Sequence, residues 1–300
     1  MKNGSGQWRL AGAGIVVMLV VAGCVATNQQ QGPEPEPALG PAERVAQMLA
    51  GSYAGMASRG SDGNDSDSLT RLDARVEQVS ADGVAVRLEQ RTGDGEPRNF
   101  RLILKPTALA TRLEGSFSPL GPRGEPAGEC PLEVSVQSDG FVARTSAETC
   151  RFGRDGDAAA LIKEIAHDGD RLVIGDRVVD PENGEPRMPD RVLELQRVHR
   201  FVGWAGVLDG SGSWRVAEDI ELESDGLGRE PEDAGGMTLG LALELAPHYV
   251  RDDQPPVLRL RVFDTASGEL LGQAWADPAA TRIGLALPDV QVGLRLRDSR

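Results

Sequence analysis

Five charged side chains stand on or beside segments with strand character: Glu89, Arg98, Arg144, Asp176 and Arg177. In a barrel, alternate residues of each strand point inward, so a charge on the inner face meets whatever the barrel holds. Arginine grips a carboxylate through parallel N–H donors, and a carboxylate such as Asp176 accepts N–H donors from a ligand. A second reading stays open for all five. Nearly every basic residue is arginine, with Lys2, Lys105 and Lys163 the only lysines, so an arginine at any one place carries little information. Arg144, Asp176 and Arg177 read equally well as an ion-pair network at a barrel rim, and for Glu89 and Arg98 the structural reading leads.

Several reaction classes have no machinery in this chain. The sequence contains no Gly-x-Ser-x-Gly elbow, no His-Glu-x-x-His, no phosphate loop and no dinucleotide fingerprint. His167, His199 and His248 lie far apart without ligand spacing, so no metal site is expected. Asp225, Glu230, Glu232 and Asp233 share one loop but lack the spacing of a calcium loop, and they read as a solvated acidic loop. Acidic residues outnumber basic ones 46 to 32, a formal charge of −14, and no basic cluster interleaves with aromatics. Nucleic acid is therefore excluded as a partner.

The N-terminus carries the compartment signal. Lys2 and Arg9 precede a short apolar run, Ala11 to Val21, which suits a signal peptide better than a spanning helix. Val21-Ala22-Gly23-Cys24 resembles a bacterial lipoprotein cleavage site, which makes residues 1–23 the signal peptide and Cys24 the lipidated first residue. Residues 24–40 are polar and proline-rich, an extended tether. Val25 in place of Asp favours the outer membrane, with the chain facing the periplasm and held to the membrane through its lipid.

Beyond the tether the pattern is all-β. Pro41 to Gly51 is the clearest helix, with Val45, Met48 and Leu49 on one face, Pro41 suited to a first turn and Gly51 to a C-terminal cap. Short alternating segments with Asp-Gly and Gly-rich turns then recur to Val198, the rhythm of a barrel or sandwich. Ala158 to Ile165 alone has helical propensity. Cys130 and Cys150 flank a hairpin that turns at Ser138-Asp139-Gly140. A two-residue turn sets Cys130 opposite Thr149, one place short of Cys150, and a longer loop or a bulge closes that gap. With Cys24 lipidated, the remaining pair in an exported chain predicts one disulfide. Seven further strands in residues 201–300 suit a smaller sandwich, which gives domains 41–200 and 201–300.

A family resemblance runs through the first of these. Leu49-Ala50-Gly51-Ser52-Tyr53 opens it, Glu89-Gln90 and Pro97-Arg98 follow, and then come Cys130, Gly140-Phe141, Arg144-Thr145, Cys150, Asp176-Arg177, Asp180 and Gly184. This order resembles the CpcT/CpeT-type chromophore lyase family over roughly residues 42–200. The resemblance implies a lipocalin-like antiparallel β-barrel that binds a linear tetrapyrrole and attaches it to a cysteine of a phycobiliprotein. It would make Arg144 and its neighbours grips for the two bilin propionates and Asp176 an acceptor for pyrrole N–H groups. It would also leave Ala158 to Ile165 in a strand. The alternative is a non-catalytic outer-membrane lipoprotein whose barrel binds a small apolar ligand or which docks an envelope protein. A deep arginine-lined cavity would favour the first, and a barrel packed solid with Leu and Val would favour docking of a protein partner.

Overall fold

The computed structural model describes residues 39–56, 69–80, 82–153, 158–248, 250 and 256–297; Cys24 and the tether lie outside them. Helix α1 (Pro41–Leu49) starts on proline, whose missing N–H is no loss in a first turn, and the Glu43 carboxylate accepts the Gly40 N–H at 3.0 Å. Eleven strands follow: β1 (Gly51–Met56), β2 (Leu69–Ser80), β3 (Gly83–Thr92), β4 (Arg98–Pro106), β5 (Arg112–Leu120), β6 (Cys130–Val136), β7 (Gly140–Arg144), β8 (Arg151–Phe152), β9 (Ala159–Asp168), β10 (Arg171–Val179) and β11 (Arg191–Arg197). All but β8 form a closed antiparallel barrel of ten strands, in which β9 pairs with both β7 and β10 and β11 returns to β1. Closure leaves no exposed sheet edge.

Period-2 alternation decides what fills this barrel. Leu72 and Ala74, Val84, Val86 and Leu88, Leu102 and Leu104, Leu132 and Val134, and Leu172 and Ile174 take alternate places and join one buried cluster. Helix α1 adds Ala42, Val45, Ala46 and Leu49 to it and packs on β2, β3, β4 and β7, plugging one end. Gly51 is not the helix cap. Ala50 ends the helix in extended conformation, and Gly51, at φ 137°, opens β1 where a Cβ would collide with the Arg197 guanidinium.

Of the two readings of Ala158 to Ile165, the structure takes the strand: β9 starts at Ala159, with Ile165 and His167 buried on its inner face, and strand pairing on both sides overrides alanine propensity. The Cys130–Cys150 disulfide is present, with Cα atoms 4.7 Å apart, but by a different route from a simple hairpin. Val136 pairs with Phe141 around a longer loop, β7 ends at Arg144, and a turn at Ser146–Cys150 returns the second sulfur.

The remaining strands are β12 (Arg200–Leu208), β13 (Trp214–Glu223), β14 (Leu241–His248), β15 (Val257–Asp264), β16 (Leu270–Ala276), β17 (Arg282–Ala286) and β18 (Val290–Leu296). They form a four-stranded sheet, β13-β12-β18-β17, and a three-stranded sheet, β14-β15-β16. A second apolar cluster lies between the two sheets, built on Phe201, Leu222, Leu243, Leu260, Val292 and Leu294. The acidic loop is not simply solvated. Asp225 is 1% exposed, bonded to the Leu227 N–H and paired with Arg71 of β2 at 3.0 Å, while Asp233 meets Arg215 at 2.7 Å. Among the described residues no helix is long and apolar enough to cross a membrane.

Candidate functional site

The inner and outer faces sort the five candidate residues. On β10, Leu172 and Ile174 point inward, so Asp176 does too and Arg177 points out. Phe141 and Ala143 set the inner face of β7, which leaves Arg144 outside. Val84, Val86 and Leu88 do the same for Glu89 on β3, across the barrel. Arg98, first residue of β4, shares the inward register of Phe100 but is exposed at the strand end.

Arg144, Asp176 and Arg177 come together around one groove of about 590 Å³ over β7, β9, β10 and β11, while Glu89 and Arg98 lie elsewhere. Ile162, Val173, Gly175 and Val192 give the groove an apolar floor, with charged residues around it. Arg144 Nε donates to Glu164 Oε2 at 2.8 Å, and Arg177 Nη2 lies 2.8 Å from Asp190 Oδ2. Both pairs are solvent-exposed and worth little to stability. Arg191, the β-partner of Asp176, lines the same groove with no ion-pair partner among the described residues.

Asp176 is held from inside the barrel by Lys163, whose ammonium donates to it. Lys163 follows the inward register of Ile165, its side chain only 7% exposed, and its Nζ lies 4.8 Å from the Phe117 ring centroid and 5.9 Å from that of Phe100. Two ring faces and one carboxylate thus offset the burial of this cation. Lys163 and Arg191 escape a reading by residue type. Lys163 is recognisable as inward only once β9 is read as a strand, and Arg191 only from the register that sets it opposite Asp176.

The plugged end, about 13 Å further along β9, holds a second polar set. Arg197 donates to the Met48 and Ala50 carbonyls at 2.6 and 2.8 Å and to the Tyr53 hydroxyl at 2.7 Å. Its guanidinium lies 4.9 Å from the Tyr53 ring centroid and 3.3 Å from Asp170. Carbonyls left over at a helix C-terminus want such a cation. Burial pushes the Tyr53 hydroxyl up to about 12, against the lowering effect of Arg197. His167 stacks on Phe141, and burial, then Arg197, holds its pKa below 6.5.

Beside this end, Asp170, His199 and Ser224 line a smaller pocket together with Phe201 and Leu258. His199 Nε2 lies 3.4 Å from Asp170, but Ser224 Oγ is bonded to the His199 backbone N–H. The trio therefore lacks the side-chain link between nucleophile and base that a catalytic triad requires.

Fold and site together define a closed antiparallel barrel, packed with apolar side chains, that carries on its wall a groove rimmed by three arginines and three carboxylates, and a sandwich at its C-terminal side. No family model matches the chain, and no curated protein matches it.

Proposed function

We propose that this chain is a binding protein of the bacterial envelope, tethered through Cys24 to the outer membrane, whose barrel-wall groove holds a flat apolar molecule bearing carboxylates. The observation that carries this reading is the pairing of an apolar floor with Arg144, Arg177 and Arg191 on the barrel wall, while the barrel interior is occupied by its own side chains. A linear tetrapyrrole, the ligand that the CpcT/CpeT resemblance implies, has the matching chemistry. Its propionates would meet Arg191 first, because Arg144 and Arg177 must release Glu164 and Asp190 to bind. Asp176 would accept a pyrrole N–H while still held by Lys163. Attachment to a partner's cysteine would ask only that the groove orient and protonate the bound chromophore. Of the groove's hydroxyls, Thr145 Oγ1 is bonded to the Leu161 carbonyl and the Lys163 N–H, and Ser146 Oγ lies 3.3 Å from Thr149 Oγ1 with no histidine lining the groove to activate it, so binding is the activity the geometry supports best.

Titration of the purified protein with biliverdin, followed by visible absorbance, tests the reading. A saturable red shift that weakens about tenfold in Arg191→Ala and further in Arg144→Ala/Arg177→Ala is expected. No spectral change, or a shift indifferent to all three substitutions, would remove tetrapyrrole binding at this groove.

A further inference from the structure

The outer face of the four-stranded sheet carries a second site. Ala205, Ala217, Val292 and Leu294 point into the sandwich, so Trp204, Gly206, Trp214, Val216, Gly293 and Arg295 face out. Both indoles lie down on glycines. A Cβ added to Gly293 would stand 2.8 Å from Trp204 Nε1, 3.1 Å from Cε2 and 3.5 Å from Cδ1. One added to Gly206 would stand 3.2 and 3.6 Å from Cε3 and Cζ3 of Trp214. Distances that grow so little from one ring atom to its bonded neighbours belong to a ring face, not an edge. Each ring therefore rests one face on the sheet, and at 41% and 43% exposure the other face is left open to solvent.

Charge completes the arrangement. Arg282 of β17 and Arg295 of β18 are direct cross-strand partners on this face, next to the Gly284–Gly293 pair and Trp204. Like charges directly opposite each other are unfavourable. Neither arginine has an ion-pair partner among the described residues, in a chain with 46 acidic residues. Of the acids on neighbouring β13, Glu221 and Glu223 hold Arg200 and Glu221 also holds Arg297, while Glu218 and Asp219 stand at the bulge opposite Trp204, on the far side of that ring's strand from β17 and β18. Two adjacent uncompensated guanidiniums suit a carboxylate-bearing partner.

We propose that this face binds an acidic saccharide of the uronic-acid type, stacking the C–H faces of its sugar rings on Trp204 and Trp214 and pairing its carboxylates with Arg282 and Arg295. A rigid indole already seated on the sheet loses little freedom on stacking, so binding there is preorganised. A membrane is the poorer fit, because tryptophans that enter a bilayer interface project from the surface and these lie flat on it. The site is separate from the barrel groove and does not depend on what that groove holds.

The test is titration of the full chain with polygalacturonate and, as a neutral control, dextran, followed by tryptophan emission and calorimetry. Saturable binding of polygalacturonate in preference to dextran is expected. Trp204→Ala should weaken it about tenfold, and Arg282→Gln/Arg295→Gln should abolish the preference for the acidic polymer. Arg282→Lys/Arg295→Lys, which keeps the charge and loses the fork, should fall between. Absence of polygalacturonate binding, or binding unchanged in the tryptophan and arginine variants, overturns the proposal. So does binding to phosphatidylglycerol vesicles that these substitutions abolish while polygalacturonate does not compete, which would make the face a membrane contact.

Discussion

The barrel and the sandwich solve the same packing problem with different devices. The barrel closes on itself, takes a helix into one end, staples β6 to the turn after β7 with a disulfide, and tolerates buried Lys163 and His167 inside. The sandwich has open-edged sheets and no disulfide among its described residues; apolar side chains fill the space between its sheets, and its buried Ser224 and Asp225 lie on the side that meets the barrel, where Asp225 pairs with Arg71. The outer faces differ in the opposite sense. Two of the barrel groove's three arginines are neutralised by acids on neighbouring strands, while the sandwich face leaves two adjacent arginines uncompensated beside exposed indoles. Polar groups have thus been invested inside the barrel and outside the sandwich, and each place has a separate reason to attract a ligand.

The sharpest way to break this comparison is to ask whether the two cores yield independently. Leu102 fills the barrel and Leu260 the sandwich, each at most 2% exposed, and truncation of either to alanine is expected to cost about 2–5 kcal/mol in urea denaturation. Hydrogen exchange locates the loss. Leu102→Ala should speed exchange in β3 and β4 while β14 and β15 keep their protection, and Leu260→Ala should do the reverse. Equal acceleration everywhere in both variants would mean one cooperative core and would end the contrast.

The disulfide gives a smaller and one-sided effect. Cys130 and Cys150 are separated by 20 residues, so reduction should lower barrel stability by about 3 kcal/mol. Trp204, Trp214 and Trp275 all belong to the sandwich, and the remaining tryptophan is Trp8. Their emission midpoint should therefore stay put on reduction while the far-ultraviolet transition shifts to lower urea. If both move together, the staple supports the whole unit and not the barrel alone.

Much of this contrast is legible in the sequence. Alternation as regular as Leu241-Ala242-Leu243-Glu244-Leu245 or Leu258-Arg259-Leu260 fixes strands and their buried faces, although the same alternation runs back through Leu239-Gly240, where the chain turns at Gly240 (φ 73°) before β14 begins, and the Asp-Gly and Gly-rich turns separate the strands. Ala158-Ala159-Ala160 hid β9 because a run of alanines has no period, and strand identity there comes from neighbours distant in sequence. The groove was half legible. Arg144, Asp176 and Arg177 do meet, but Glu89 could not be sorted from them without knowing that β3 stands across the barrel with that side chain outside. Arg197 hid as one arginine among many. Its role depends on a helix end some 150 residues away, and nothing local announces it.

The smallest expected effect separates the two regions by pH. His167, on the inner face of the barrel, has Phe141 stacked on it, the Tyr53 ring edge-on at 6.2 Å, and Arg197 Nη2 3.4 Å from its Nε2. Burial and the Arg197 charge lower its pKa, while Asp170 and Asp168 pull it back up and do not win. Below 6.5 the unfolded chain takes up a proton that the folded barrel resists, so stability falls as pH drops from 6.5 towards the folded pKa and is unaffected above it. Asp225, which ties the sandwich side to Arg71, behaves oppositely. Burial raises its pKa, so the cost of ionising it is incurred as pH rises from 3.8 and is relieved on acidification. Acidification from pH 7.5 to 5.5 should therefore destabilise the wild-type barrel, and His167→Gln should flatten that slope while leaving the tryptophan-reported transition unchanged. A slope that survives His167→Gln would place the acid-sensitive group elsewhere and dissolve this last difference between the two cores.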